Sequence, residues 1–557
     1  MKENIAHQFG LDVIIAQLLI NRGLKEAKDI ENFLNPQLDC LIDPFSLQGV
    51  NKALNRIKIA FANGEKILIY GDYDVDGMTS TALIFSVLKD FIPDIYYYIP
   101  DRSEEGYGIS QKGIDFATKY HISLIITVDC GITSITEINK LNDLGVDTIV
   151  TDHHEPLMTL PKAHTIVNPK ICDYPFKELA GVGVVFKLAQ AIYIHLGKKD
   201  EAIDRHLDLV ALGTIADSVS ILGENRILVK YGICQLTKFN RIGLKTLMEC
   251  FDNENLSYSS LIQHINFDLI PVLNSTGRIG NPHDTVDLLL ADSFCRAQFL
   301  VKKMLKLNEE RKLLTQETLE EAREMVLRKN TIKKQKILIL ASENWYPGII
   351  GIVASRIMEE FSRPVIMIAM NNGIGKGSGR NQGDFDFSKI LFDCSDLLIR
   401  YGGHQQVAGI TISAENIDLF NQRINNHLKS ILPSDQDDEP TIHIDSMISY
   451  DKINWNLLGL LEKLRPFGPG NPQPIFCGHD FPLLSWRKVG KDEKHLKLSF
   501  GKFDNSLDGI AFQMAEKSLD FNRNDTINIA FYLETNYWNG NKSIQLIIKD
   551  IKSSGGK

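Results

Sequence analysis

Between residues 67 and 150 the chain alternates short, unbroken apolar runs with amphipathic stretches: Ile67–Tyr70, Ile95–Ile99, Leu124–Val128 and Thr148–Val150. Apolar runs of this length, spaced by helical periodicity, predict strands of a parallel sheet covered on both faces by helices. This first α/β domain is expected to span residues 63–220. Residues 1–62 ahead of it read as a helical segment broken at Asn35-Pro36 and Asp43-Pro44. Residues 221–330 read as a helical connector ending in Ser293–Lys329, a charged stretch without glycine or proline. As one helix that stretch would span about 55 Å, enough to bridge two domains.

A second α/β pattern fills residues 331–438. Strands Ile337–Ala341, Val365–Ala369 and Ala408–Ser413 alternate there with helices Ile349–Phe361, Phe387–Arg400 and Ile417–Ile431, and the acidic run Ser434–Glu439 marks the end. From residue 439 the last domain turns to short strands: Ile475–Phe476, Leu496–Phe500, Leu507–Phe512, Thr526–Leu533 and Ser543–Ile548. Asn539-Gly540 is a hairpin signal between the last two. The expected fold is therefore a multidomain α/β protein: a parallel-sheet domain, a long connector helix, a second α/β domain and a C-terminal OB-like barrel, although other small β folds fit the last pattern.

Composition narrows the class. With 44% hydrophobic and 24% charged residues among 557, the chain is ordinary globular protein, which excludes collagen-like and disordered readings. The eight cysteines form no C-x-x-C pair, which argues against a zinc ribbon. The net charge of −9 advertises no global affinity for nucleic acid, but carboxylates gathered for metal ions would lower the sum while basic faces lie elsewhere. Leu11–Ile20 lacks signal-peptide flanks, and no apolar stretch approaches the roughly 18–20 residues of a membrane span. A cytoplasmic protein without membrane association is expected.

The densest chemistry follows the first strand, in Gly71-Asp72-Tyr73-Asp74-Val75-Asp76-Gly77. Carboxylates at alternate positions of extended chain point the same way and repel unless a cation neutralises them. The next two strands also end in candidate ligands: Asp129-Cys130-Gly131 after Leu124–Val128, and Asp152-His153-His154 after Thr148–Thr151. Ligands bind outside the carboxyl ends of strands in such sheets. Asp217, an isolated acid in Gly213–Val219, is a fourth candidate. Taken singly, these residues also read as a calcium loop, a helix cap or a surface histidine pair; together at one sheet edge they read as a metal site. Asp and His without thiolates favour Mn²⁺ or Mg²⁺, and so many ligands point to two ions, the geometry of phosphoester hydrolysis.

The motifs Asp72–Gly77, Val128–Gly131, Asp152–His154 and Ala216–Val219 resemble those of the DHH phosphoesterases. Further segments are similar to the bacterial single-stranded-DNA-specific exonucleases of that family: Pro100–Arg102, Glu105–Gly108, Leu209–Asp217, Gly223–Arg226, Pro347–Arg356, Lys376–Arg380, Gly402–His404, Pro466–Gly468 and Gly470–Pro472. The resemblance runs from about Ala16 to the last strands. It implies digestion of single-stranded DNA from 5′ to 3′ in repair and recombination, and partners such as a helicase or single-strand-binding protein. Asp72 and Asp74 would hold one ion, Asp76, His153 and Asp217 the other, and Asp129 would bridge them. His154 would contact the scissile phosphate and Asp152 would orient the histidines. The second α/β domain would be the DHH-associated domain, its Ser378, Arg380 and His404 binding phosphate together with Arg102 and Arg278. The chain departs from the family pattern at Tyr346, usually His, and at Asn381, usually Ser.

In the terminal β region Trp486, Arg487, Lys488, Lys491, Lys494, His495, Lys497 and Lys502 are interleaved with Phe500 and Phe503. Such a mixture suits a groove that follows a phosphate backbone while bases stack, with Trp486, Lys488 and Lys497 as contacts. It also suits a barrel with an aromatic core and solubilising lysines. Two other functions compete: a DHH-type enzyme for short oligoribonucleotides, pAp or cyclic dinucleotides, and a non-catalytic DNA-binding scaffold.

Overall fold

The computed structural model describes residues 1–238, 240–251, 258–328, 335–383, 385–403, 405–431, 441–502, 505–521, 525–538 and 541–553. The chain divides into two compact units, one of residues 43–217 and 231–437, the other of 1–42, 218–230 and 438–557.

In the first unit, β1 (Ile67–Tyr70), β2 (Ile95–Tyr98), β3 (Leu124–Val128), β4 (Asp147–Thr151) and β5 (Thr165–Val167) form a parallel sheet in the order β2-β1-β3-β4-β5. β1 and β3 are wholly buried, as their continuous apolar sequences require. β5 is too short for the apolar pattern to announce. The chain leaves β1 for β2 on one side and then supplies β3 on the other. β1 and β3 therefore flank a topological switch point, with a crevice at their carboxyl ends.

The long helix runs Phe294–Arg328. Its first part packs on helices Ile242–Met248 and Ile270–Ile279. Its last turns put Leu319, Ala322 and Val326 into one core with the second sheet. That sheet has the order β6-β7-β8-β10-β9, from β6 (Leu338–Ser342), β7 (Val365–Asn371), β8 (Ile374–Arg380), β9 (Leu398–Gly403) and β10 (Val407–Ser413). Two expectations change here. Lys376–Arg380, left outside the expected strands, is the body of strand β8. Its glycines make room for neighbours: a Cβ on Gly377 would lie 2.5 Å from Ile410, and one on Gly379 would lie 2.9 Å from Phe387. The helix expected over Phe387–Arg400 stops at Asp393, because Leu398–Gly403 pairs with β10 as an edge strand.

The second unit is a barrel built from β11 (Ser446–Met447), β12 (Phe476–Val489), β13 (His495–Lys502), β14 (Asn505–Ala511), β15 (Thr526–Trp538) and β16 (Asn541–Ser553). β12 pairs with β15 through its first half and with β13 through its second, which closes the barrel. Trp538 faces Asn541 across the β15–β16 pair, and the expected turn residues Asn539 and Gly540 lie outside the described residues, as does the acidic run 434–439.

The expected N-terminal segment 1–62 is split between the units. Ile15, Leu18, Leu19, Ile30 and Phe33 join the barrel core beside Phe476, Phe481 and Phe531, whereas helix Val50–Asn63 packs on the first sheet. Arg226 fastens the barrel unit: its buried guanidinium lies 3.8 Å from the Phe33 ring centre and donates to the carbonyls of Phe33, Leu464 and Lys463. Among the described residues no helix is long and apolar enough to cross a membrane.

Candidate metal centre

The acids after β1 reach the crevice by three different backbone devices. Asp72 leaves the strand end buried, and its Oδ1 has no hydrogen-bond partner. Asp74 caps helix Val75–Lys89, accepting the Gly77 N–H at 3.1 Å. Asp76 lies in that helix's first turn and accepts the N–H groups of Gly181 at 2.7 Å and Val182 at 2.9 Å. These two donors open helix Gly181–His195, so its positive end supports the carboxylate.

Asp129 ends β3 in a left-handed conformation, φ 61°, which Asp tolerates better than most residues. The first turn of helix Gly181–His195 presses against it: a Cβ on Gly181 would fall 2.4 Å from Asp129 Oδ1, so no side chain fits there. His153 follows β4 and brings its Nε2 to 3.2 Å from Asp129 Oδ1 and 3.6 Å from Asp217 Oδ2. Asp217 comes from the end of helix Lys199–Ala216, not from a strand.

Among the described residues three groups have ligand atoms mutually within 4.8 Å: Asp72, Asp74 and Asp129; Asp76, His153 and Asp217; and Asp129, His153 and His154. Asp129 Oδ1, His153 Nε2 and Asp217 Oδ2, like Asp72 Oδ1, are buried without a hydrogen-bond partner. Buried polar atoms left this way cost stability unless something else meets them. Burial, followed by repulsion from neighbouring acids, lifts Asp72, Asp129 and Asp217 well above the usual carboxylate range and Asp76 to about 7. Burial presses His153 down to about 3, so it offers a lone pair. Hard oxygen donors with a neutral imidazole fit Mn²⁺ or Mg²⁺.

Asp152 does a different job. One oxygen accepts the N–H groups of His153 at 2.8 Å and His154 at 3.1 Å, and the other accepts that of Ile132 at 2.9 Å. His154 Nδ1 lies 2.8 Å from Asp152 Oδ1. Burial opposes the charge on His154, but this bond overrides it and raises the pKa to about 9. Asp152 in turn is held below its ordinary value by His154 despite its own burial.

Sequence reasoning missed Tyr107. Its hydroxyl sits 3.0 Å from His154 Nδ1 and 3.4 Å from the Asp129 carbonyl, and its ring meets the His154 ring edge-on. The available signal was a tyrosine between Gly106 and Gly108, both at positive φ.

A cationic cluster lies in the same unit. Arg102 stacks over Tyr73, 5.1 Å from its ring centre. Burial lowers Arg278 to about 9, with repulsion from Arg102, Arg311 and Arg380 adding to it. Burial and Arg102 lower Arg380 to about 10. Arg380 donates to Ser378 Oγ at 2.9 Å. Guanidinium groups that depress one another in this way are suited to an anion. Arg311, which also feels Arg356, had no signal in a Lys- and Glu-rich helix. His404 lies outside the described residues.

The barrel surface differs from its expectation. Phe500 is wholly buried in the core, and Phe503 lies outside the described residues. Trp486 pairs with Leu498 and Lys488 with Leu496, whereas Lys497 pairs with Arg487 on the opposite face. Trp486 and Lys488 therefore share a side that Lys497 does not, and Lys497 forms an ion pair with Asp508 at 3.0 Å.

Family models match residues 66–214 as the DHH family N-terminal domain, 334–430 as the DHHA1 domain and 444–550 as the RecJ OB domain. The single-stranded-DNA-specific exonuclease RecJ of Bacillus subtilis is 36% identical over 552 residues, covering 98% of this chain and 69% of that protein. That of Escherichia coli is 35% identical over 569 residues, covering 97% and 96%. The chain belongs to the RecJ family of single-stranded-DNA-specific exonucleases. The Mn²⁺ complex of Thermus thermophilus RecJ superposes with a TM-score of 0.84 at 28% identity, covering 100% of this chain and 78% of that one. The Mg²⁺ complex of the same protein gives 0.77 at 26% identity, covering 100% and 77%. The Asp and His donors of the RecJ-family crevice suit either ion.

Proposed function

We propose that the chain hydrolyses single-stranded DNA from 5′ to 3′ with two divalent ions, Mn²⁺ or Mg²⁺. Asp72 and Asp74 hold one ion, Asp76, His153 and Asp217 the other, and Asp129 both. The observation that carries this reading is the meeting of unpartnered, buried ligand atoms from Asp72, Asp129, His153 and Asp217 at the switch-point crevice. When bound, the ions activate water and stabilise the charge that develops on the phosphoryl and leaving oxygens.

The chain's own residues do the rest. His154 is cationic at neutral pH, its Nδ1–H shared between Asp152 and the Tyr107 oxygen. Nε2 remains to donate a hydrogen bond to a phosphate oxygen as it gains charge. Asp152 keeps both histidines oriented through their backbone N–H groups and the His154 ring. Arg102, Arg278, Ser378 and Arg380 hold the 5′-terminal phosphate, which sets the polarity.

The barrel argues against a small dinucleotide as the substrate, and the full donor set argues against a metal-free scaffold. The test is digestion of 5′-labelled single-stranded DNA with and without Mn²⁺. Early release of labelled mononucleotide, dependent on Mn²⁺ and far slower on blunt duplex, is expected. Release of 3′ label first, or equal digestion of duplex, would overturn the reading.

A further inference from the structure

The two walls that carry the arginine cluster meet at Ser103 and, behind it, at Arg278. Ser103 lies beside Arg102 in the turn that follows β2, and that turn is closed by its own hydrogen bonds. Asp101 accepts the N–H groups of Ser103 at 2.7 Å and Glu104 at 2.8 Å, and Glu105 accepts the N–H of Asp101 at 2.9 Å and the Tyr98 hydroxyl at 2.9 Å. From the second sheet, Lys376 on β8 donates to the Ser103 carbonyl. Ser103 Oγ also donates to the Tyr346 hydroxyl at 3.4 Å.

Tyr346 is held in place from behind. Its neighbour Gly348 accepts from Arg278 at 3.2 Å and approaches so closely that a Cβ there would fall 2.0 Å from the Arg278 carbonyl oxygen. The Tyr346 phenol supplies the reach by which this wall meets Ser103.

We propose that the Ser103–Lys376–Tyr346 junction is an end-stop, which makes cleavage depend on a free strand end. Arg102 stands on one side of the junction and Ser378 and Arg380 on the other, so a phosphate among them sits where the two walls are already joined. A terminal phosphate fits there. A strand that continued past it would have to part the junction. This inference rests on the 5′-phosphate reading of the arginine cluster given above, and it adds the residues that make an exonuclease of the site.

The test compares covalently closed circular single-stranded DNA with linear strands carrying either a 5′-phosphate or a 5′-hydroxyl, all with Mn²⁺. Wild-type protein is expected to consume the 5′-phosphorylated strand and leave circles intact; nicking of circles by wild type would overturn the proposal. Tyr346→Ala combined with Lys376→Ala is expected to nick circles at least tenfold faster than wild type while keeping linear digestion within about fivefold. Intact circles alongside retained linear digestion would overturn the end-stop. If the double variant is inactive on both substrates, Tyr346→Phe and Lys376→Met decide, since each removes one polar link and keeps the bulk. Linear digestion without any nicking in both single variants would equally overturn it. Equal rates on 5′-phosphate and 5′-hydroxyl strands would instead refute the phosphate pocket, whatever the circles show.

Discussion

The crevice beside β1 and β3 and the barrel strands β12 and β13 both carry residues expected to meet nucleic acid, and they are built on opposite terms. In the crevice Asp72, Asp76, Asp129, Asp152 and His153 are buried and Asp74, His154 and Asp217 half-buried, their backbone positions set by a cap, a left-handed residue or a helix end, and several polar atoms have no hydrogen-bond partner. On the barrel, Trp486 is 36% exposed, Lys488 is exposed, and Lys497 already has Asp508 as a partner. Buried charge is costly, so the crevice depends sharply on each ligand and on the ion that completes it. Exposed cations contribute in small, screened increments. The crevice concentrates function in a few atoms, whereas the barrel spreads it.

The contrast predicts its largest effect at Asp129. Asp129→Asn keeps the shape and the tolerance of φ 61° but removes a charge shared by both proposed ions. Turnover should fall by about a thousandfold or more, the scale on which such electrostatic stabilisation acts, with binding of single-stranded DNA unchanged. Near-normal kcat in this variant would dissolve the proposed centre.

Next comes pH. Without an ion, Asp76 holds its proton up to about 7, so Mn²⁺ must displace that proton below this pH. Affinity for Mn²⁺ measured by calorimetry should therefore rise up to about tenfold per pH unit between pH 5.5 and 7, then level off. Burial lifts the folded-state pKa of Asp76 above that of an ordinary carboxyl, so its protonated form favours the folded state. The stabilising contribution is full at low pH and lost as pH rises through about 7. Mn²⁺ should raise Tm more at pH 8 than at pH 5.5, and equal increments would contradict the shift.

Tyr107→Phe probes how His154 is held, because it removes the hydroxyl and keeps the ring. A decrease of about tenfold in kcat with KM unchanged is expected, since the hydroxyl acts on a catalytic group and not on the bound strand. A change confined to KM would make Tyr107 a DNA contact instead. The smallest effect belongs to the barrel: Lys488→Ala should weaken binding a few-fold and reduce the salt slope by about one ion. A loss as severe as that of Asp129→Asn would erase the contrast.

Much of the crevice was legible in the chain because β1, β3 and β4 are buried on both faces and so read as plain apolar runs ending in acids or histidines. Asp217 was legible as an odd acid in an apolar run, but its delivery by a helix end was not. β8 escaped because its glycines exist to admit Ile410 and Phe387, which are distant in sequence. Phe500 and Lys497 looked alike as neighbours of DNA until strand register sent one inward and tied the other to Asp508.

Local sequence alone determined the first sheet, the long helix and the identity of the ligand-bearing segments, because periodicity and strand-end chemistry are properties of neighbouring residues. Only the tertiary structure decided that helices 13–34 cover the barrel, that Tyr107 meets His154, and that five arginines act on one another. Each of those depends on side chains tens to hundreds of residues apart coming within a few ångströms, and only packing decides which of them meet.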